Sequence, residues 1–498
     1  MIELVVERRM LPAPEEAVST LRELRRFLEE QHTDCYVVGG LVRDYLLRRA
    51  TDDVDLVVAG DALDIASRAS RRLGSTLVPL DEANQVARLV FPLEQARWHI
   101  DFAALRGDIE NDLACRDFTI NAMAVPLDSA LDGDIDGSLI DPLGGRDDLK
   151  AGILRAVSDT SFADDPLRLL RAIRFAATLG FRIDPDTESL SRRDSALVSS
   201  VAAERIRDEL GMILGTSMAY ESLCKMDELG LLDPVLPELT VTRGVEQPKE
   251  HFWDVFDHSL HTVEAMERVL HERSADGDGE LLAELPWSPE ISARFSQEVS
   301  DGRTRRALSK LAALLHDIGK PATKAFDPDG RMRFLGHTQE GAAMASRAMA
   351  RLRFSNRETA MVALMVEHHL RPGFLAREET PSRRAIYRYF RDTGDAGIDT
   401  LYLGLADHLA ARGPTLDPEE WRKHVETTRY VLSKYFEDQS TITPPKLIDG
   451  RVLMDEFGLQ PGPRIGELLE IVREAQAAGE VTTREQALQL VRENLESS

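Results

Sequence analysis

The stretch YVVGGLVRDYLLRRATDDVDLVV, residues 36–58, restricts what this chain can fold into more than any other. An apolar run ends in Gly39 and Gly40, an Arg-Asp pair opens a second apolar segment, and Asp53 and Asp55 follow, two apart, on a third. Side chains two apart on a strand point to one face, so both carboxylates are predicted to emerge together. Like charges at that separation repel unless a cation lies between them, and hard oxygen donors suit Mg²⁺ bound with substrate phosphates. The glycine pair lets a ligand approach the backbone, and the helix start that follows offers free amides that favour phosphate. A G-x-G-x-x-G dinucleotide fingerprint is absent, because GGLVRD has the wrong spacing. Asp101, in HIDFAALR, is a third carboxylate on a predicted strand and is expected beside the other two.

The rest of the chain is that of a globular protein of several units. It has 498 residues, 43% of them hydrophobic and 30% charged, which excludes a disordered or membrane-embedded class. No apolar run approaches the ~18 to 20 residues of a spanning helix, and MIELVVERRM lacks the apolar core of a signal peptide. A cytoplasmic location is therefore expected. Cys35, Cys115 and Cys224 have no metal-ligand spacing and read as reduced thiols. The net charge of −25 opposes nonspecific nucleic-acid binding by the whole surface, but the arginines between Arg155 and Arg207 leave room for a local positive groove.

Hydrophobic periodicity predicts an amphipathic helix over 14–31, mixed strands and helices over 36–127, and chiefly helical segments over 139–240, from there to about 415, and over 447–498. FADDPLRLLRAIRF places Asp165 three before Arg168, with Arg171 and Arg174 at further steps of three, so a continuous helix would carry them on one side. A carboxylate accepts and a guanidinium donates, so Asp165 and Arg168 together match the exocyclic amine and unprotonated ring nitrogen of cytosine and adenine and reject uracil and guanine. The plain alternative is an exposed arginine-rich helix with i to i+3 ion pairs.

In this order, GGLVRDYLL, DDVDLVV, DLACRDFTINAMA and DDPLRLLRAIRF resemble the bacterial tRNA nucleotidyltransferase and poly(A) polymerase family, the second class of CCA-adding enzymes in the polymerase-β-like superfamily. The resemblance covers about residues 33–240. It implies an α+β fold, with a nucleotidyltransferase head built on a small mixed sheet and an all-helical neck and body. Asp53 and Asp55, with Asp101, would hold two catalytic Mg²⁺ ions. The first motif, with Gly39, Gly40, Arg43 and Asp44, would meet the nucleotide, as would Arg116, Asp117 and Asn121 of the third. Asp165 and Arg168 fall on the family's base-reading E/D-D-x-x-R motif, whose first residue here is Asp164, and Arg171 and Arg174 would face the triphosphate or the primer end. One departure is Cys115, where the family usually has an arginine before Arg116. A second is the direct passage from Asp101 to Arg116, where full CCA-adding members usually carry a flexible segment. Members that add only C and C are similar in lacking it.

Between 251 and 412, FDHSLHTVEAM, ALLHDIGKPATK, LGHTQEGA, VEHHLRP and LADHLAARG resemble an HD-superfamily domain, a helical metal-dependent phosphohydrolase fold. That implies one divalent ion on His258, His316, Asp317 and Asp407, with His337 and His368 or His369 available for a second. Imidazole with carboxylate suits a transition metal. The expected division is an N-terminal helix at 1–32, head at 33–150, neck and RNA-binding region at 151–245, HD domain at 246–415 and helical tail at 416–498. The expected partners are the tRNA 3′ end, CTP and ATP, with no membrane and no obligate protein partner. The rival readings are a poly(A) polymerase and an HD phosphohydrolase whose head only binds nucleotide or RNA.

Overall fold

The computed structural model describes residues 15–51, 53–92, 97–248, 251–271, 280–437 and 442–496. MIELVVERRM lies outside them. The chain divides into two compact units, Met1–Val201 and Ala202–Ser498, so the residues expected to form a neck fall on both sides of Val201. No helix among the described residues is long and apolar enough to cross a membrane.

The first unit opens with helix α1 (Glu15–Glu30), which buries Ala17, Leu21, Leu24 and Leu28 at helical spacing. Then follow β1 (Cys35–Val38), α2 (Gly40–Leu47), β2 (Asp53–Val58), α3 (Ala62–Leu73), β3 (Thr76–Asp81), β4 (Val86–Pro92), β5 (Arg97–Ala104), α4 (Ile109–Ala114) and β6 (Ala124–Pro126). The strands form one sheet in the order β3-β4-β5-β2-β1-β6. β2 runs parallel to β5 and antiparallel to β1, and it places Asp53 opposite His99 and Asp55 opposite Asp101. Along β2, Val54, Leu56 and Val58 are buried on one face, which sends Asp53 and Asp55 to the other. α3 packs on β3, β4 and β5; the Asp61 carboxylate accepts the Asp64 amide at 3.0 Å to start it, and Gly74 in the left-handed region ends it.

Past the sheet, a short helix Ser161–Asp164 and a longer one, Arg168–Leu179, are separate elements. Asp165 between them is extended, with φ −144°. The continuous helix expected across Asp165 and Arg168 is thus broken, because Pro166 drives the residue before it out of the helical region. In this region Arg155 pairs with Asp148 and Asp184, Arg192 with Glu188 and Arg193 with Asp194.

The second unit is helical around Val255–Val269, Arg305–Leu315, His337–Arg351, Asn356–His368 and Gly397–Arg412. A hairpin, Lys324–Phe326 with Met332–Phe334, interrupts the helices at a D-P-D-G turn. Three helices near the C-terminus, Gly450–Phe457, Pro463–Ala478 and Arg484–Glu496, close on a small core that includes Leu453, Leu468, Val472 and Val491.

Candidate active site in the head and metal centre among the helices

Parallel pairing of β2 with β5 brings Asp53, Asp55, His99 and Asp101 to one face of the sheet. The turn above them is held by Gly39 at φ +68°, where a Cβ would lie 3.1 Å from both Asp55 Oδ2 and Arg116 Nη1. Only glycine permits that backbone angle and that approach without strain. Burial, then repulsion from Asp53, pushes the Asp55 carboxyl up to about 6. Asp53 goes the other way, held low chiefly by the hydrogen bond that His99 Nε2 donates to its Oδ1 at 3.0 Å. Two carboxylates side by side on one strand face, one of them partly buried, fit a hard divalent ion.

Asp101 stands beside Asp55 as expected, but both its oxygens already accept from Arg88, Nε to Oδ1 and Nη2 to Oδ2, each at 2.7 Å. Arg88 comes from β4 directly opposite Asp101, a long-range pairing that nothing in the local sequence announces. His99 was open to discovery: it lies two before Asp101 on a strand and so shares its face.

Arg43 sits one turn into α2. Its Nε and Nη2 donate to Asp44, and Nη1 donates to Asn121 Oδ1 at 2.8 Å. Asn121 Nδ2 donates to Asp117 Oδ1 at 3.1 Å, and Asp117 Oδ2 accepts from Arg171 Nη2 at 2.6 Å. Burial opposes the Asp117 charge, but the Arg171 guanidinium outweighs it and holds the carboxyl below its usual range. Arg171 thereby joins Asp117, Asn121 and Arg43 in one network. Phe175, unremarked in the sequence, lies under three guanidinium groups, those of Arg43, Arg171 and Arg174, with Arg174 nearest at 4.2 Å. Arg116 pairs with Asp112 at 3.2 Å. Arg168 Nη1 donates to Ser161, and its Nη2 donates to the Cys115 carbonyl at 2.7 Å, so Cys115 contributes its backbone. Asp165 Oδ1 accepts the Leu167 amide, fixing its carboxylate at the mouth of the helix that Arg168 begins. From Asp101 to Arg116 the chain needs only α4, capped by Asp108, whose carboxylate accepts the Asn111 amide at 2.9 Å.

In the second unit, His258 Nε2 lies 3.0 Å from Asp407 Oδ1 and 3.1 Å from His316 Nε2, and His316 Nε2 lies 3.1 Å from Asp317 Oδ2. His337 and His369 reach Asp317 Oδ1 at 3.6 and 3.7 Å. His316, His337 and His369 each donate Nδ1–H to a backbone carbonyl, of Ala313, Phe334 and Val366 respectively, which turns Nε2 inward. The buried atoms Asp317 Oδ1 and His337 Nε2 have no hydrogen-bond partner. Unpartnered buried donors and ring nitrogens facing each other fit a metal ion. His369, not His368, belongs to the cluster: His368 ends its helix half-buried among Glu367, Arg371 and Asp392, and adjacent residues cannot both face inward. Burial sends His369 down to about 3, whereas His316, despite burial, is raised to about 10 by Asp317. Gly319 is required because a Cβ would meet the His337 carbonyl oxygen at 2.3 Å. Lys320, three after Asp317, donates to its Oδ2 at 2.5 Å, and Lys320 and His251 join the walls of a cavity of about 1010 Å³ over the cluster. Both residues went unmarked in the sequence; the step of three from Asp317 was the available signal for Lys320.

Known families match stretches along most of the chain. Residues 35–155 match the poly A polymerase head domain, 180–242 an RNA- and SrmB-binding site of polymerase A, 255–412 the HD domain, and 431–491 a second tRNA nucleotidyltransferase domain. An A-adding tRNA nucleotidyltransferase of Deinococcus radiodurans is 35% identical over 457 residues, 91% of this chain and 93% of that protein. The chain belongs to the tRNA nucleotidyltransferase family. A CC-adding member from Thermus thermophilus is also 35% identical, over 91% of this chain and 92% of its own length. Among solved structures, the Thermotoga maritima CCA-adding enzyme complexed with tRNA superposes with a TM-score of 0.62 at 25% identity, covering 98% of this chain and 97% of that one. The resemblance carried by the four motifs and the HD pattern is borne out, as is the polymerase-β-like head with a largely helical remainder.

Proposed function

We propose that the head adds C or A from CTP or ATP to the 3′ hydroxyl of tRNA, as part of the CCA end, in the cytoplasm. The observation that carries this is the pair Asp53 and Asp55, facing the Gly39–Gly40 turn from a central strand. Asp53 and Asp55, with Asp101 if Arg88 releases it, would hold Mg²⁺. Bound there, such ions lower the pKa of the RNA 3′ hydroxyl and offset charge on the departing pyrophosphate. Gly39 and Gly40 leave space for a triphosphate against the backbone, and Arg43 and Arg116 stand at its edge with their charge fixed by Asp44 and Asp112. Asp165 accepts from the amine of cytosine or adenine while Arg168 donates to the ring nitrogen; the carboxylate is set by Pro166 and the arginine by Ser161 and Cys115.

Partial addition follows from the short, capped α4, which leaves little free chain to re-form the base pocket between C and A. The relatives named CC-adding and A-adding accord with it. The test supplies CTP and ATP together to tRNAs ending at the discriminator base, after one C and after two, and sequences the products. Extension by C and C alone, or by A alone on the last substrate, is expected. A complete CCA built on the first substrate overturns partial addition, and no extension of any of them overturns the reading of the head.

A second reading, for the helical unit, rests on the unpartnered Asp317 Oδ1 and His337 Nε2 under a large cavity. We propose a transition-metal centre there, held by His258, His316, Asp317 and Asp407, with His337 and His369 beside it, acting on phosphate esters. Metal analysis that finds no ion, with a phosphodiesterase activity unaltered in His316→Ala, would remove it.

A further inference from the structure

We propose that His99 is a nitrogen donor of the head's metal site and shifts the ion this site accepts from Mg²⁺ towards Mn²⁺. The inference rests on the reading of Asp53 and Asp55 as metal ligands. It starts from strand register: Asp53 and His99 are direct partners on parallel β2 and β5, as are Asp55 and Asp101, so the four side chains stand in two rows on one face. The ligand atoms of Asp53, His99 and Asp101 all lie within 4.8 Å of one another, a spacing that one ion can bridge. His99 Nε2 is the ring atom turned into this cluster, 3.0 Å from Asp53 Oδ1, and its side chain is 25% exposed, so an ion can take the place of the hydrogen shared with Asp53, the neutral ring then carrying its hydrogen on Nδ1.

What gives the imidazole a part to play is Arg88. A carboxylate row of three would furnish only hard oxygens, the set Mg²⁺ prefers. Here the third carboxylate is gripped at both oxygens by the Arg88 fork, a bidentate and charge-assisted contact. Of the three ligand residues grouped within 4.8 Å, the fork leaves an Asp53 oxygen and the His99 nitrogen free, and Asp55 adds a second oxygen from the same face of the sheet. Imidazole binds Mn²⁺ and later first-row ions in preference to Mg²⁺, which takes oxygen ligands in near-ideal octahedra. With Arg88 and His99 present together, the head offers a mixed donor set.

The experiment uses the full chain with Mn²⁺ and CTP, and compares pulsed electron paramagnetic resonance of the parent with that of His99→Ala and His99→Asn. Histidines of the helical centre contribute equally to each sample, so the difference spectrum isolates His99. A ¹⁴N modulation from a directly coordinated nitrogen is expected in the parent and lost in both variants. Alongside it, the ratio of the addition rate with Mn²⁺ to that with Mg²⁺ should fall at least tenfold. The Asn variant keeps a polar, foldable side chain at a strand position near solvent, so a spectrum is obtained even where Ala disturbs β5. Identical ¹⁴N spectra overturn the proposal and leave His99 as a hydrogen-bond donor that orients Asp53, whatever the rates. The spectra are read whether or not nucleotide is added, so an inactive parent counts against the function of the head and not against this ligand.

Discussion

Asp55 is where the head's electrostatic conflict is concentrated. It is partly buried on β2, and desolvation with the Asp53 charge beside it raises its carboxyl to about 6. Without metal, the folded protein therefore holds this proton more tightly than the unfolded chain does. The stabilisation this affords is complete below the unfolded carboxyl's range and is lost as pH rises through about 6. A shift of this size corresponds to about 3 kcal/mol. In EDTA, Asp55→Asn should match the parent near pH 4 and exceed its stability by that order at pH 8, while abolishing nucleotide addition. Denaturant melts at the two pH values measure it, and a variant no more stable than the parent at pH 8 contradicts the conflict. Residues such as Asp55 were legible in the sequence because their meaning is local: a glycine turn, then carboxylates two apart. Arg88 was not, since its value comes from a strand partner thirteen residues away. His99 lay between these cases, visible in the period of β5 but mute without knowledge of which strand β5 joins.

Elements show the same division. β1, β2, β4, β5 and the first three helices could be read from periodicity and glycine placement. β3 drew no reading, because Pro79 interrupts its apolar run; it stands as an edge strand, where a missing amide is tolerated. The break at Asp165 is the instructive case. Arginines at steps of three suggested one helix, whereas a single proline splits it, and the split is what holds the Asp165 carboxylate at the mouth of the following helix. Pro166→Ala should let the helix Arg168–Leu179 extend backwards and carry Asp165 away from its place opposite Arg168. Selection for CTP or ATP over UTP and GTP should then fall tenfold or more, with metal binding in the head unchanged. Competition assays with all four nucleotides check it; unaltered discrimination would mean that the break has no part in base reading.

At the scale of the molecule, the candidate metal-ligand groups among the described residues fall into two centres, one in each compact unit. The head's centre is built largely of carboxylates on a sheet, and the other of imidazoles and carboxylates where helices end, so the two should differ in the ions they prefer and in what inactivates them. The resemblance to HD domains implied the second centre, yet the choice between His368 and His369 waited on where a helix stops. Separate cores imply separate failure. Asp53→Asn combined with Asp55→Asn should lower nucleotide addition at least 10³-fold, in the range of lost metal-site catalysis, while the helical centre keeps its bound metal and any phosphoesterase activity. His316→Ala should do the reverse. It leaves Asp317 short of a buried partner, so it should also lower the unfolding temperature of the helical unit, whereas the head's carboxylate variants should not. Elemental analysis of each variant, with both activities and a calorimetric scan, distinguishes the outcomes. Loss of nucleotide addition in a folded His316→Ala protein would show that the helical centre takes part in the head's reaction.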